Sequence, residues 1–253
     1  MSTLDAGRLR AEFRALGLAE GAVVMAHSSL SAFGRVAGGA NTVVRALLDC
    51  VGETGTLVVP TFTGDVVTDP GAGDARHGVP LFHEDMPTSM GAIASAVLAW
   101  PGRKRSGHPQ ASVAAVGKEA GRITATQPLG YAVGTGSPFD VLHALRADIL
   151  LLGVGHNRNT FLHYAESRVP HHRRKVRRFP YLVEGQRVWV ETDDVGDDNG
   201  THFPRIGAEY EETGAVRTRT IGEARCRLLA TQPFIAFAVR RLDALLADGR
   251  PSP

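Results

Sequence analysis

The chain has 253 residues, enough to bury a core without covalent staples, and its 2 cysteines, Cys50 and Cys226, lack the paired spacing of a zinc site or redox motif. A net charge of +2 gives no general case for nucleic acid as a partner. The first turns carry Asp5, Arg8, Arg10 and Glu12 with no apolar stretch, so no secretory signal is expected there; no apolar run approaches the ~20 residues of a membrane span, and a cytoplasmic protein is expected.

In chain order, an amphipathic helix fits Asp5 to Leu16, with Gly17 as its stop. Ala22 to His27 reads as a buried strand emptying into the polar turn His27-Ser28-Ser29-Leu30-Ser31. A helix from Ala40 to Val51 follows, and the β-branched run Gly55 to Pro60 is a second strand. Pro87 and Thr88 announce a helix over Ser89 to Trp100, and Arg105 to Pro109 is a turn before a short strand, Ser112 to Val116. Ser137-Pro138 opens a helix to Leu145, Asp148 to Gly153 is the most apolar strand, and a helix fits Asn159 to Arg168. Cys50 and Cys226 both fall in apolar, helix-like stretches (Val43 to Val51 and Ala224 to Leu229) as small buried hydrophobes.

This alternation predicts an α/β fold, a layered sheet that is largely parallel or mixed and flanked by helices. The C-terminal third breaks the rhythm: Tyr181 to Val190 forms two short strands around Glu184-Gly185, before a terminal helix from Gln232 to Leu246. The expectation is a single domain over residues 1–253 with a small antiparallel insertion at about 179–220. A basic run, His171 to Arg178, and an acidic run, Glu191 to Asp198, read as two solvated surface segments.

Ligands of open α/β sheets bind beyond the carboxyl ends of strands, which points to His27-Ser28-Ser29, Pro60 to Thr63, and Gly153 to Thr160. The last stretch is the richest, because Asn159 and Thr160 can cap a helix on which His163 and Glu166 share one face. A histidine near a helix start is favoured as the neutral imidazole, which suits a general base. No Gly-x-Ser-x-Gly elbow, no phosphate loop ending in Lys-Ser/Thr and no His-Glu-x-x-His spacing occurs, so no metal site is expected.

Several blocks lie in a fixed order: His27-Ser28-Ser29-Leu30-Ser31 with Gly38-Gly39-Ala40, Gly55 to Thr61, Pro87 to Gly91, Arg105 to Pro109, Gly136-Ser137-Pro138, and Leu150 to Glu166. From about Gly21 to Ile206 they resemble the aminoglycoside 3-N-acetyltransferases of the antibiotic N-acetyltransferase superfamily, which differ in fold from the GNAT acetyltransferases. The resemblance implies acetyl transfer from acetyl-CoA to an aminoglycoside amine, the 3-amino group of 2-deoxystreptamine, with antibiotic resistance as the result. It implies His163 as the base, oriented by an acid after the hairpin; Asp193, Asp194 and Asp197 are candidates, with Asp194 ranked first. Ser28, Ser29, Leu30, Ser31, Arg105 and Ser106 match the positions that meet coenzyme A. His27, Thr61, Asn159, Glu166, Asp193 and Asp198 are the implied substrate contacts, with the acidic run holding ammonium groups and Thr61 or Thr63 near the developing oxyanion.

Two departures bear on the substrate: Asn157 stands where many members carry Asp, and the run His171 to Arg178 is very positive for a neighbour of a polycation site. The alternatives are an enzyme of the same fold acting on another amine or amino sugar, and a non-catalytic protein binding coenzyme A or nucleic acid. One chain does not separate a monomer from a homodimer.

Overall fold

The computed structural model describes residues 3–66, 78–196 and 201–248. Helix α1 (Ala6–Leu16) begins where Asp5 accepts a hydrogen bond from the Arg8 N–H at 2.8 Å, and ends where Gly17 takes a left-handed φ of 110°. Strand β1 (Val23–Ser28), helix α2 (Gly39–Val51) and strand β2 (Thr56–Pro60) follow. Next come α3 (Ala92–Leu98), the short β3 (Lys104–Arg105), β4 (Val113–Gly117) and α4 (Ala120–Thr124). Ser137 caps α5 (Pro138–Ala144), which leads to β5 (Asp148–Leu152) and α6 (Phe161–Glu166). The chain ends with a hairpin of β6 (Arg174–Val183) and β7 (Gln186–Val195), then α7 (Phe203–Glu211), β8 (Arg217–Ile221), β9 (Ala224–Ala230) and α8 (Thr231–Asp248).

A 7-stranded sheet runs in the order β3-β4-β2-β1-β5-β9-β8. It is mixed, and its parallel pairing is confined to the centre, where β2 and β5 both flank β1; β4 and β9 then add antiparallel on either side. Alternation along β1 divides the core. Val24 and Ala26 face α1 and α2 through Phe13, Val43 and Leu47, while Met25 faces Phe139, Phe161 and Phe234 on the other side. Burial on both faces explains why β2 and β5 read as unbroken apolar runs.

Some boundaries differ from the sequence expectation. The stretch around Cys226 is strand β9 rather than a helix: Ala224, Cys226 and Leu228 are buried, while Arg225 is exposed and Arg227 half-buried, a period of two that fits a strand beside β5. Helix α6 covers only Phe161–Glu166, and α3 starts at Ala92. The hairpin is longer than expected, from Arg174 to Val195, closed by Glu184 and Gly185 at φ 50° and 78°, the left-handed pair that a two-residue turn requires.

The hairpin also corrects the view of its charges. The basic and acidic runs are partners in one ladder, with Lys175 opposite Asp194 and Arg178 opposite Glu191, rather than two separate solvated segments. Among the described residues, no helix is long and apolar enough to cross a membrane.

Candidate active site

From β1 the chain continues through α2 to β2 on one side, and β5 lies on the other, so the carboxyl ends of β1 and β5 form a topological switch point. A cavity of about 1000 Å³ opens there. His27, Ser28, Ser29, Leu30 and Ser31 form one wall, Pro60 and Met90-Gly91 another, and Gly153 to Gly155 with Asn157, Arg158 and Thr160 the third. Gly153 has φ 68° and passes so close to Ala32 that a side chain there would collide with it.

Helix α2 starts at this cavity with Gly38 as its cap and no side-chain hydrogen bond to its first turn. Its first N–H groups and the positive end of its dipole are therefore available to an anion. The hydroxyls of Ser29 and Ser31 lie 3.1 Å apart beside it, and the Ser29 N–H bonds the Leu152 carbonyl at 2.9 Å, tying this turn to β5. Burial, with a smaller contribution from His156, pulls the His27 imidazole down to about 3, so it is neutral. Its Nε2 has no hydrogen-bond partner among the described residues.

Thr160, at the start of α6, lines the cavity, and His163 lies one turn further on the same face. His163 Nδ1 is 3.3 Å from Glu166 Oε2, and its ring meets Phe203 edge-on with centroids 4.8 Å apart. Glu166 is 1% exposed, so the carboxylate is withdrawn from solvent behind the imidazole. The back of α6 is fixed by Tyr164, whose hydroxyl donates to Asp140 at 2.6 Å and accepts from Arg168 at 3.0 Å.

Among the described residues, the structure brings a different carboxylate to Nδ1 of His163. Asp194 was ranked first to orient His163, yet the carboxylate at Nδ1 is Glu166, one turn away on the same helix. Asp194 Oδ1 accepts from the Val195 N–H at 2.8 Å, and Oδ2 lies 3.8 Å from Arg177 Nε. Burial raises the Asp194 carboxyl, and the Val195 N–H, Arg177, His163 and Lys175 oppose that rise. Asp193 projects to the opposite face of the hairpin, as strand alternation demands, and is exposed. Asp197 and Asp198 lie outside the described residues.

Arg105 and Ser106 do not line the cavity. The Arg105 guanidinium donates to Thr61 O at 2.7 Å, Glu84 O at 3.1 Å, Met86 O at 2.5 Å and Ser112 Oγ at 3.1 Å, and it sits over the Phe82 ring. Ser106 Oγ accepts from the Val113 N–H at 2.9 Å. Their polar groups are thus committed to the protein interior. The same holds for Thr61, fully buried and donating to Ser112 O at 3.1 Å, and for Thr63, which donates to Pro109 O. Asn159 is 1% exposed and caps α6 by accepting from the Phe161 N–H at 3.2 Å.

A network that no local sequence signal announces supports the third wall from behind. Glu211 on α7 accepts from Arg225 and Arg227 at 2.7 Å each and faces His156 Nε2 at 3.3 Å. Arg227 also donates to Val154 O, a cavity residue, at 3.1 Å. Gly207 makes this possible, because a side chain there would occupy the space of the His156 ring. No group of three metal-ligating side chains occurs among the described residues.

Residues 25–243 match the family described as aminoglycoside 3-N-acetyltransferase. The SPbeta prophage-derived aminoglycoside N(3')-acetyltransferase-like protein YokD of Bacillus subtilis is 33% identical over 90% of this chain and 88% of its own. Aminoglycoside N(3)-acetyltransferase III of Pseudomonas aeruginosa is 33% identical over 93% of this chain and 92% of its own. Among solved structures, AAC-IIIb in a binary complex with CoASH superposes with a TM-score of 0.88 at 31% identity, covering 100% of both chains. Sisomicin-bound AAC-VIa superposes at 0.88 with 32% identity, covering 96% of this chain and 99% of that one.

Proposed function

Because the chain belongs to the aminoglycoside 3-N-acetyltransferase family, we propose that it transfers the acetyl group of acetyl-CoA to an amino group of an aminoglycoside, with His163 as general base. The observation that carries this reading is the His163 Nδ1 to Glu166 Oε2 contact beside the switch-point cavity.

The cavity has the chemistry that coenzyme A needs. The open first turn of α2 and the hydroxyls of Ser28, Ser29 and Ser31 suit phosphate and pantetheine oxygens, and Arg158 adds a cation at the rim. The AAC-IIIb complex with CoASH supports the same ligand for this fold. Acetyl-CoA supplies the activated acyl group.

An amine of an aminoglycoside is protonated at neutral pH and carries no lone pair for attack. Glu166 holds Nδ1 of His163 and so leaves Nε2 as the proton acceptor. When Nε2 takes a proton from the ammonium group, the freed amine attacks the thioester carbonyl, the carbon–sulfur bond breaks, the departing thiolate takes the second proton lost from that nitrogen, and the imidazolium returns its proton to solvent. The buried Glu166 carboxylate stabilises the imidazolium in between. The product amide is uncharged at that nitrogen, which removes one cation from the antibiotic and is the basis for resistance.

The test is thiol release from acetyl-CoA across a panel of aminoglycosides and simple amino sugars, with His163→Ala alongside. The variant is expected to bind coenzyme A normally and to lose about a hundredfold or more in turnover. Near-normal turnover in His163→Ala would sink the mechanism, and silence of the parent chain toward every aminoglycoside would sink the substrate.

A further inference from the structure

Building on the reading that the switch-point cavity holds coenzyme A, we propose that Arg158 is a specificity-determining residue: it meets the 3'-phosphate of the cosubstrate and makes the enzyme prefer coenzyme A to dephospho-coenzyme A.

Among the described residues that line the cavity, Arg158 is the one charged side chain. The other polar lining groups are serine and threonine hydroxyls, the Asn157 amide and the neutral His27 imidazole. No carboxylate joins them; Glu223 packs against Gly34 on one wall but does not line the cavity. A polyanion bound there meets a single side-chain cation and no acid.

That cation is uncommitted. Arg158 is exposed, and its guanidinium has no ion pair or hydrogen bond among the described residues, whereas Arg225 and Arg227 behind the same wall are held by Glu211. The backbone beneath it is fixed. Arg158 closes one tight turn, its N–H on the Gly155 carbonyl and the Asn159 N–H on the His156 carbonyl, each at 3.0 Å. His156 is buried against Gly207 and faces Glu211, so the turn needs no reordering when a ligand arrives.

Coenzyme A carries two kinds of phosphate, and the cavity has two kinds of donor. Each phosphorus of the diphosphate bears one negative charge, which suits the dipole of α2 and the neutral hydroxyls of Ser29 and Ser31. The 3'-phosphate is a monoester whose second ionisation lies at about 6, so near neutrality it is mostly a dianion. Its terminal oxygens match the planar fork of a guanidinium. Position agrees with this division. Thr160 is buried at the foot of the helix that carries His163, whereas Arg158, two residues earlier, stands in solvent at the rim. The thioester belongs at the α6 end, and the 3'-phosphate sits on the adenosine at the other end of the molecule.

The test is isothermal titration calorimetry of the full chain and of Arg158→Gln with coenzyme A and with dephospho-coenzyme A, which differ only in the 3'-phosphate. At low ionic strength the parent is expected to bind coenzyme A about threefold to tenfold more tightly, a preference that shrinks in high salt because the pair is exposed. Arg158→Gln should lose that preference by weakening coenzyme A alone, and Arg158→Lys should keep part of it. The stoichiometry reports the folded fraction and the dissociation constants do not depend on it, so partial misfolding cannot imitate the result; the preference of the parent needs no variant. A parent without preference, a preference that survives in Arg158→Gln, or equal weakening of both ligands overturns the inference. A parent that binds neither ligand overturns the cosubstrate reading as well, which separates a failure of that reading from a failure of this one.

Discussion

Glu166 Oε2 sits 3.3 Å from His163 Nδ1, so the proposed base and the carboxylate at its Nδ1 lie on one helix, a single turn apart. The pair is set by local helical geometry, and the long hairpin is not needed to assemble it. Glu166→Gln keeps the shape and removes the charge that stabilises the imidazolium. Turnover should fall by about tenfold to a hundredfold while the KM for acetyl-CoA stays near the parent value. Steady-state kinetics decide this, and a variant as active as the parent would return the orienting role to a residue of the hairpin.

Two arginines on β9 offer a matched comparison. Arg225 and Arg227 both bind Glu211 at 2.7 Å, but Arg227 alone of the two also holds the Val154 carbonyl on the cavity wall. If that wall helps seat the cosubstrate, Arg227→Gln should raise the KM for acetyl-CoA on the order of fivefold, equivalent to about 1 kcal/mol, with kcat little changed. Arg225→Gln, whose side chain is 61% exposed, should leave KM unchanged. Equal effects in the two variants would mean that Glu211 contributes only general stability.

The strands and the ligand-bearing turns were legible in the sequence because their signals are local. The apolar run Asp148 to Leu152, the Gly153 turn after it and the His27-Ser28-Ser29 strand end lie where periodicity and strand-end chemistry place them. Relationships across the fold were not legible. Arg105 in a polar turn reads equally well as a phosphate contact or as a buried donor, and only the convergence of Thr61, Glu84 and Met86 carbonyls on its guanidinium decides for the second. Strand β9 was obscured by its two arginines, which interrupt the apolar run although they alternate out of the core. Asp193, Asp194 and Asp197 were the acids expected to orient His163 and Glu166 a substrate contact, yet Glu166 is the carboxylate at Nδ1, because side-chain reach is not encoded in sequence order.

The pH dependence of stability should be governed in part by buried neutral histidines, with His108 the best placed to isolate the effect. It is 1% exposed, its Nδ1 accepts from the N–H groups of Gln110 and Ala111 at 3.0 Å each, and its Nε2–H donates to Leu129 O at 2.9 Å. Protonating Nδ1 breaks both accepted bonds and places a charge in the core. Burial accordingly holds this imidazole at about 4, against 6.5 in the unfolded chain, with His156 also at about 4 and His27 at about 3. Because the folded values are the lower ones, the unfolded chain binds protons first on acidification. Each contribution is complete above 6.5 and is lost as the pH falls from there toward 4. Each such histidine adds a slope of at most about 1.4 kcal/mol per pH unit within that window. Urea denaturation of the parent and of His108→Gln, compared at about pH 7 and about pH 5, removes the groups common to both proteins. The variant is expected to be less stable near neutrality and to lose less on acidification. Parallel losses in the two proteins would show that His108 is already free to protonate in the folded state.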